Sequence, residues 1–354
     1  MRAVGGPGRW VWGLSGLATA AVLLVPSVRL LTAAGGPWHR QPTPDTVVRS
    51  LTVPEHVSSL DVQSYGGLVK VAAGPVSRAE VIETINYIKQ DGGLPAVVQS
   101  VSAGRLTLAA PACAISDCNV GFAVTMPAGI PATVTTDGGA AAVSGTAGAD
   151  VFSNGGPVTA EHIHGPVTAD TEGGSLQLNW ATRADVESGG GPVSAAQIDG
   201  PVTADTDGGS LQLNGAAGAD VNSGGGPVTA EHIHGPVTAD TDGGSLQLNG
   251  ITGTLLAESD GGPLSIQNAD AATAWVSTGG GSARIAFSAA PDTVTLGTDG
   301  GPAALTVPGG PYALTTDSDG GPQSVGIATE PAARRSITVT SDGGSLQIEP
   351  ASGH

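Results

Sequence analysis

Aromatic residues are scarce: five Trp, three Tyr and three Phe make up 3% of the 354 residues. Aromatics carry the largest buried areas, so a core made without them must be narrow and filled by small side chains. Basic residues are equally short. Residues 1–50 hold five Arg and one acid, but from residue 51 onward 8 basic residues face 30 acidic ones. Nucleic-acid binding depends on Lys and Arg at phosphates, so this acidic body excludes it. The charge favours solubility and association with cations, and says nothing about fold. Only two of the thirteen basic residues are lysine, which together with the Ala, Gly and Pro content points weakly to a GC-rich bacterial genome. Cysteine occurs twice, at Cys113 and Cys118. No His lies near them, so a zinc centre lacks ligands. In an exported chain a disulfide closing this small loop is expected, with two reduced thiols as the alternative. No GxSxG, HExxH or phosphate-loop motif occurs, which removes the common signatures of hydrolase and nucleotide chemistry.

Glycine and proline are abundant, at 56 and 25 residues. That is close to the level at which low complexity becomes a concern, yet 40% of the chain is still hydrophobic. A core can therefore form. Residues 10–25, WVWGLSGLATAAVLLV, carry no charge, and Arg2 and Arg9 precede them. A membrane-spanning helix needs about 20 apolar residues. Residues 10–34 reach that length if Arg29 extends its head group to the interface, and Trp10 and Trp12 sit where interfacial aromatics are expected. The competing reading is a secretory leader cleaved near Thr32-Ala33-Ala34. Either way the remainder is expected to be exported: a single-pass anchor with an extracellular C-terminal domain, or a secreted protein. Residues 1–9 read as a basic cytoplasmic stub and 35–47 as a Pro- and Gly-rich linker.

The dominant signal is internal repetition. Gly-Gly pairs begin at residues 138, 155, 173, 190, 208, 225, 243 and 261, then at 280, 300, 320 and 343. The spacing is 17 or 18 residues at first and 19 to 23 later. A longer period of 35 is also present: ADVFSNGGPVTAEHIHGPVTADTEGGSLQLN starts at Ala149, with close copies at Ala184 and Ala219. Within each coil apolar residues alternate, as at Leu211 and Leu213 or Val237 and Ala239. Alternation bounded by Gly, Pro, Asn and Asp predicts short strands, and the density of Gly, Pro and β-branched residues excludes helix. One coil cannot bury both faces of its strands, whereas stacked coils can. At the strand spacing of about 4.8 Å, the coils predict a rod on the order of 50 Å long. The expected fold is all-β: a β-solenoid of 17–20-residue coils over residues 137–349, preceded by one N-terminal transmembrane helix, with a short tail at 350–354. Residues 48–136 read as an irregular β cap containing the cysteine loop. Within it EVIETINYIKQDGG (80–93) fits a strand better than a helix because of its β-branched content.

The stretch CAISDCNVGFAVTMPAGIPATVTTDGGAAAVSG (113–145) and the DGG-containing coils after it resemble the bacterial putative adhesin family, also called toastrack domains. The resemblance covers roughly residues 48–349 and rests on repeat signatures. It implies a β-repeat fold behind an N-terminal membrane segment, and a role in adhesion or in envelope-stress sensing. It supplies no catalytic residues. The copies between 149 and 249 are more regular than that family leads one to expect, which indicates recent internal duplication.

Three sets of residues invite chemistry. His162 and His164, repeated at His232 and His234, sit at i and i+2 and could chelate a metal weakly. The intermediate copy reads Gln197-Ile198-Asp199, and the two pairs are four coils apart, about 19 Å, so solvated surface His is the preferred reading. Acids stand directly before Gly-Gly at Asp207, Asp242 and elsewhere. Stacked acidic turns could attract calcium weakly, but Asp-Gly is also ordinary turn chemistry. Trp180 replaces the Gly of LQLNG found at Gly215 and Gly250, and with Trp275 it is a candidate surface contact. Past residue 137 only Arg183, Arg284, Arg334 and Arg335 are basic, too few for a polysaccharide-cutting site. No cofactor is expected, the partner is an unnamed envelope or cell-surface macromolecule, and the chain is expected not to be an enzyme.

Overall fold

A computed structural model describes residues 44–88, 94–110 and 118–351. The expected anchor, residues 10–34, lies outside them. Among the described residues no helix is long and apolar enough to cross a membrane.

Strands form wherever the alternation is strong, and they assemble into one sheet of 16 and one of 15 strands. Each coil contributes one strand to each sheet. Leu211–Ala216 lies in the first sheet and Gly218–Ser223 in the second. Successive coils pair parallel and in register: Leu211 stands beside Val228 and Leu213 beside Ala230 in one sheet, Ala219 beside Val237 and Val221 beside Ala239 in the other. Fourteen coils follow one another in this way among the described residues. At about 4.8 Å per coil they span roughly 60 Å. The segment read as a strand at 80–93 is one over Glu80–Ile88.

The core is a narrow continuous stack, mostly Val, Ala, Leu and Ile from both sheets, joined by Phe122, Met126, Phe287 and Tyr312. Through the repeated units, residues 149–249, large and small side chains alternate from coil to coil. In the first sheet Val193 and Ala195 are followed by Leu211 and Leu213, then by Val228 and Ala230. In the second, Ala184 and Val186 are followed by Val202 and Ala204. This alternation is the physical content of the 35-residue period: two coils of different volume interlock, as close packing requires.

The turns of the regular coils follow a rule of their own. From Ala149–Ser153 to Leu255–Ser259 the last inward residue of each second-sheet strand is Ser or Thr, and its hydroxyl donates to the carbonyl of the glycine three residues on. Ser153 reaches Gly156 at 2.8 Å, Thr171 reaches Gly174 at 3.1 Å and Ser188 reaches Gly191 at 3.0 Å. These hydroxyls are buried and would be costly without partners. The second glycine of each pair is fixed by contact. A Cβ on Gly209 would sit 2.0 Å from the carbonyl oxygen of Gly191 in the coil before it.

Both ends of the rod depart from chain order. The coil formed by Ser59–Tyr65 and Val69–Gly74 lies inside the later coil Arg105–Ala110 and Asn119–Pro127. At the far end Ser336–Ser341 and Leu346–Pro350 slip inside the earlier coil Ala313–Asp317 and Gln323–Val325. The outermost coils are therefore excursions of the chain. The first end is closed further by antiparallel strands Pro44–Thr52 and Glu80–Ile88, where Arg49 meets the buried Glu83 at 3.8 Å. Beside the other end, Tyr312 is buried and its hydroxyl donates to the Pro308 carbonyl. Burial raises its phenol above the usual value, against the pull of the Arg335 charge.

Cys118 is disulfide-bonded. The other cysteine of the sequence, Cys113, lies outside the described residues.

Candidate functional site

The two sheets present different outer faces. On the second sheet, in-register pairing lines up Asp170, Glu187, Asp205, Asn222, Asp240 and Glu258, one per coil. A parallel column alternates Asp and Thr: Asp150, Thr168, Asp185, Thr203, Asp220, Thr238. On the first sheet the corresponding column reads Thr159, Gln177, Ser194, Gln212, Thr229, Gln247. One face is a carboxylate stripe, whereas on the other this column is neutral, with Glu161 and Glu231 set among Asn179, Asn214 and Asn249 in the next outward column. At one end the stripe meets the exposed Phe152 beside Asp170, and the Asp and Thr column runs on from Thr238 into the exposed Leu256 and Trp275.

The acidic turns expected to matter, Asp207 and Asp242, are exposed. Asp207 lines an open groove with Asp170, Glu172, Glu187 and Asp205. Among the described residues no group of three or more His, Cys, Asp or Glu is arranged to hold a metal ion.

The His pairs have a conformational explanation. His162 and His232 have φ of 54° and 55°, in the left-handed region. They belong to a column in which every member has this conformation: His162, Trp180, Gln197, Gly215, His232, Gly250 and Asn268. Each falls six residues after the second glycine of its coil. The left-handed residue breaks the strand alternation. It places two outward residues in succession, such as Glu161 and His162, before the inward Ile163. His and Asn are enriched in this region and Gly enters it freely. His162 and His232 therefore suit the bend. His162 packs against the indole of Trp180, with ring centroids 5.7 Å apart. His232 meets the Asn214 side chain at 3.3 Å through Nδ1. His164 and His234 lie beyond the buried Ile163 and Ile233, both exposed.

Trp180 is the exception in that column. A bulky side chain in the left-handed region costs about 1–2 kcal/mol, and at 52% exposure the indole recovers little of this by burial. The ring is nevertheless fixed. Its N–H donates to Gln197 Oε1 in the next coil, and His162 supports it from the previous one. Beyond it, Gly215 leaves a gap in the column. The result is a groove of about 450 Å³, within the range of small-molecule sites. Trp180 and Gln197 line one end, Ile198, Gly215, Ala216 and Ala217 continue it, and Asp199 and His234 add polar edges. Trp275 stands on the outer face of the other sheet, beside Leu256, so the two tryptophans do not form one site. Sequence reasoning selected Trp180 and His234 but missed Gln197, Asp199 and Gly215 as its neighbours. The constant offset of six from the second glycine would have assembled the column.

No family model matches the chain, and no curated protein matches it in sequence. Two solved structures align with it. One, described as a putative cell adhesion protein from Clostridium sporogenes, has 10% identity and a TM-score of 0.22 over 87% of this chain and all of that one. The other, described as a putative adhesin from Bacteroides fragilis, has 12% identity and a TM-score of 0.31 over 88% of this chain and all of that one. At these scores neither likeness carries weight for function. The reading of the fold rests on the strand pairing itself.

Proposed function

We propose that this chain is a non-catalytic, adhesin-like surface protein: an exported rod, held at the cell membrane through residues 10–34, that presents its side faces to envelope or cell-surface macromolecules. The observation that supports this is the contrast between interior and exterior. The interior is one continuous stack of mostly small apolar side chains, while the outer faces carry long, chemically distinct columns. Repetition of this kind suits a spacer and an extended contact surface. The reading assigns no cofactor, and at most weak association of Ca2+ with the acidic turns.

Envelope-stress sensing is the alternative that the family resemblance brings. The two readings separate in the native host. Deletion of the gene should reduce attachment of cells to surfaces or to other cells while leaving envelope-stress transcripts unchanged. Unchanged attachment with altered stress transcripts would favour the sensor.

A further inference from the structure

We infer that the groove beside Trp180 is a binding site for a neutral sugar ring within a polysaccharide or glycan. The inference deepens the surface-contact reading and rests on it for its biological setting, but not for its chemistry. Three near-identical copies of the 35-residue unit run through this part of the rod, and two of them carry Gly at the position of Trp180. The tryptophan is thus a local departure within repeated sequence. It adopts a conformation unfavourable to it, and exposed strain of this kind points toward function.

The geometry selects the ligand class. The indole is held from one side by His162 and through its N–H by Gln197, which gives a rigid platform with little ordering left to lose on binding. The groove opens on the Gly215 side, away from His162 in coil order. Its floor is apolar, from Ile198 and Ala216, and Asp199 and His234 stand at its edge. A pyranose has the matching character: a C–H face for the indole and outward hydroxyls for a carboxylate, an imidazole and an amide. Charge also decides. The groove holds no Lys or Arg and the protein carries a net charge of −18, so acidic sugars are disfavoured. The neutral column Gln177, Ser194 and Gln212 of the first sheet runs past the groove and gives a longer chain a path apart from the carboxylate stripe of the second sheet.

The test uses the full-length protein in detergent. Binding of neutral oligosaccharides (glucose, mannose, galactose and N-acetylglucosamine hexamers) is measured by calorimetry beside an acidic oligogalacturonate. Trp180→Gly is the informative variant, because glycine occupies this position in the sister coils and relieves the strain, so the fold should be kept or strengthened. Trp275→Ala serves as a control on the other sheet. The expected result is saturable binding of at least one neutral hexamer, weakened at least tenfold by Trp180→Gly and unchanged by Trp275→Ala, with no binding of the oligogalacturonate. Absence of binding to every neutral hexamer, equal binding by Trp180→Gly, or preference for the acidic chain would overturn the inference. Attachment assays distinguish the two levels. Reduced attachment in the gene deletion with no sugar binding by the wild-type protein sinks the groove alone, whereas normal attachment in the gene deletion sinks the adhesin reading.

Discussion

The two glycines of each turn look alike in sequence and do different work. Gly208 has open space where a Cβ would go, whereas Gly209 faces the Gly191 carbonyl oxygen at 2.0 Å. A methyl group at Gly209 must push two coils apart against parallel hydrogen bonds on both sides. Gly209→Ala is therefore expected to lower stability by about 4 kcal/mol or more, in the range reserved for severe core disruption. Gly208→Ala should change it by less than about 1 kcal/mol. Urea denaturation of both variants checks this, and equal effects would contradict the contact argument. A second residue-scale prediction concerns Thr146, whose buried hydroxyl has no hydrogen-bond partner among the described residues. Equivalent positions one and three coils on hold Ile163 and Ile198. Thr146→Val should raise stability by about 1 kcal/mol, since the desolvation cost of the hydroxyl disappears. At this scale the sequence was only partly readable. Asp-Gly turns were recognised, but the Ser or Thr three residues before the second glycine was not singled out, because a hydroxyl near a turn has many possible partners until burial is known. The histidines were read as paired on one strand face, whereas the left-handed bend at His162 and His232 interrupts that face.

At the scale of the strand and coil, legibility follows the strength of the alternation. Val, Leu and Ala at every second position leave one arrangement that buries them, so the strands between 141 and 307 could be read directly. The 35-residue period was visible too, but its cause was not, because volume matching needs facing residues. That cause makes a prediction. Leu213 fills the broad coil between Ala195 and Ala230, and neither neighbour can expand to replace it. Leu213→Ala should cost about 2–5 kcal/mol, read as a shift of the denaturation midpoint. A loss below about 1 kcal/mol would mean that the coils close over the gap and that the alternation is incidental. The exchanged order of the end coils was beyond sequence reading. The segment Gln323–Val325 does carry a trace of its position. Gln323 stands in register with the buried Leu346 and is itself exposed, as suits the outermost coil among the described residues.

For the whole rod, the decisive property is how charge is divided between faces, and this depends on which half of each coil enters which sheet. Sequence alone gave the acidic total but concentrated attention on the turns. The in-register stacking adds a strand-face stripe, with Asp170, Glu187 and Asp205 in adjacent coils. The ion pairs Arg49–Glu83 and Arg335–Asp292 lie outside this stripe. Carboxylates one coil apart, about 5 Å, repel by roughly 0.8 kcal/mol in water-like surroundings, and unfolding separates them. The Debye length falls from about 30 Å at 0.01 M salt to about 3 Å at 1 M, so salt should remove most of this repulsion. The thermal midpoint is therefore expected to climb steadily as NaCl rises from 0.01 M to 1 M. Neutralising the centre of the stripe with Glu187→Gln and Asp205→Asn should raise the low-salt midpoint and flatten the climb. Matching substitutions at Gln177 and Gln212 on the opposite face, to Glu, should leave the wild-type stripe intact and steepen the climb. A midpoint indifferent to salt, or one that falls, would mean that the stripe is compensated in the folded state, and that the negative face is not the source of repulsion its register implies.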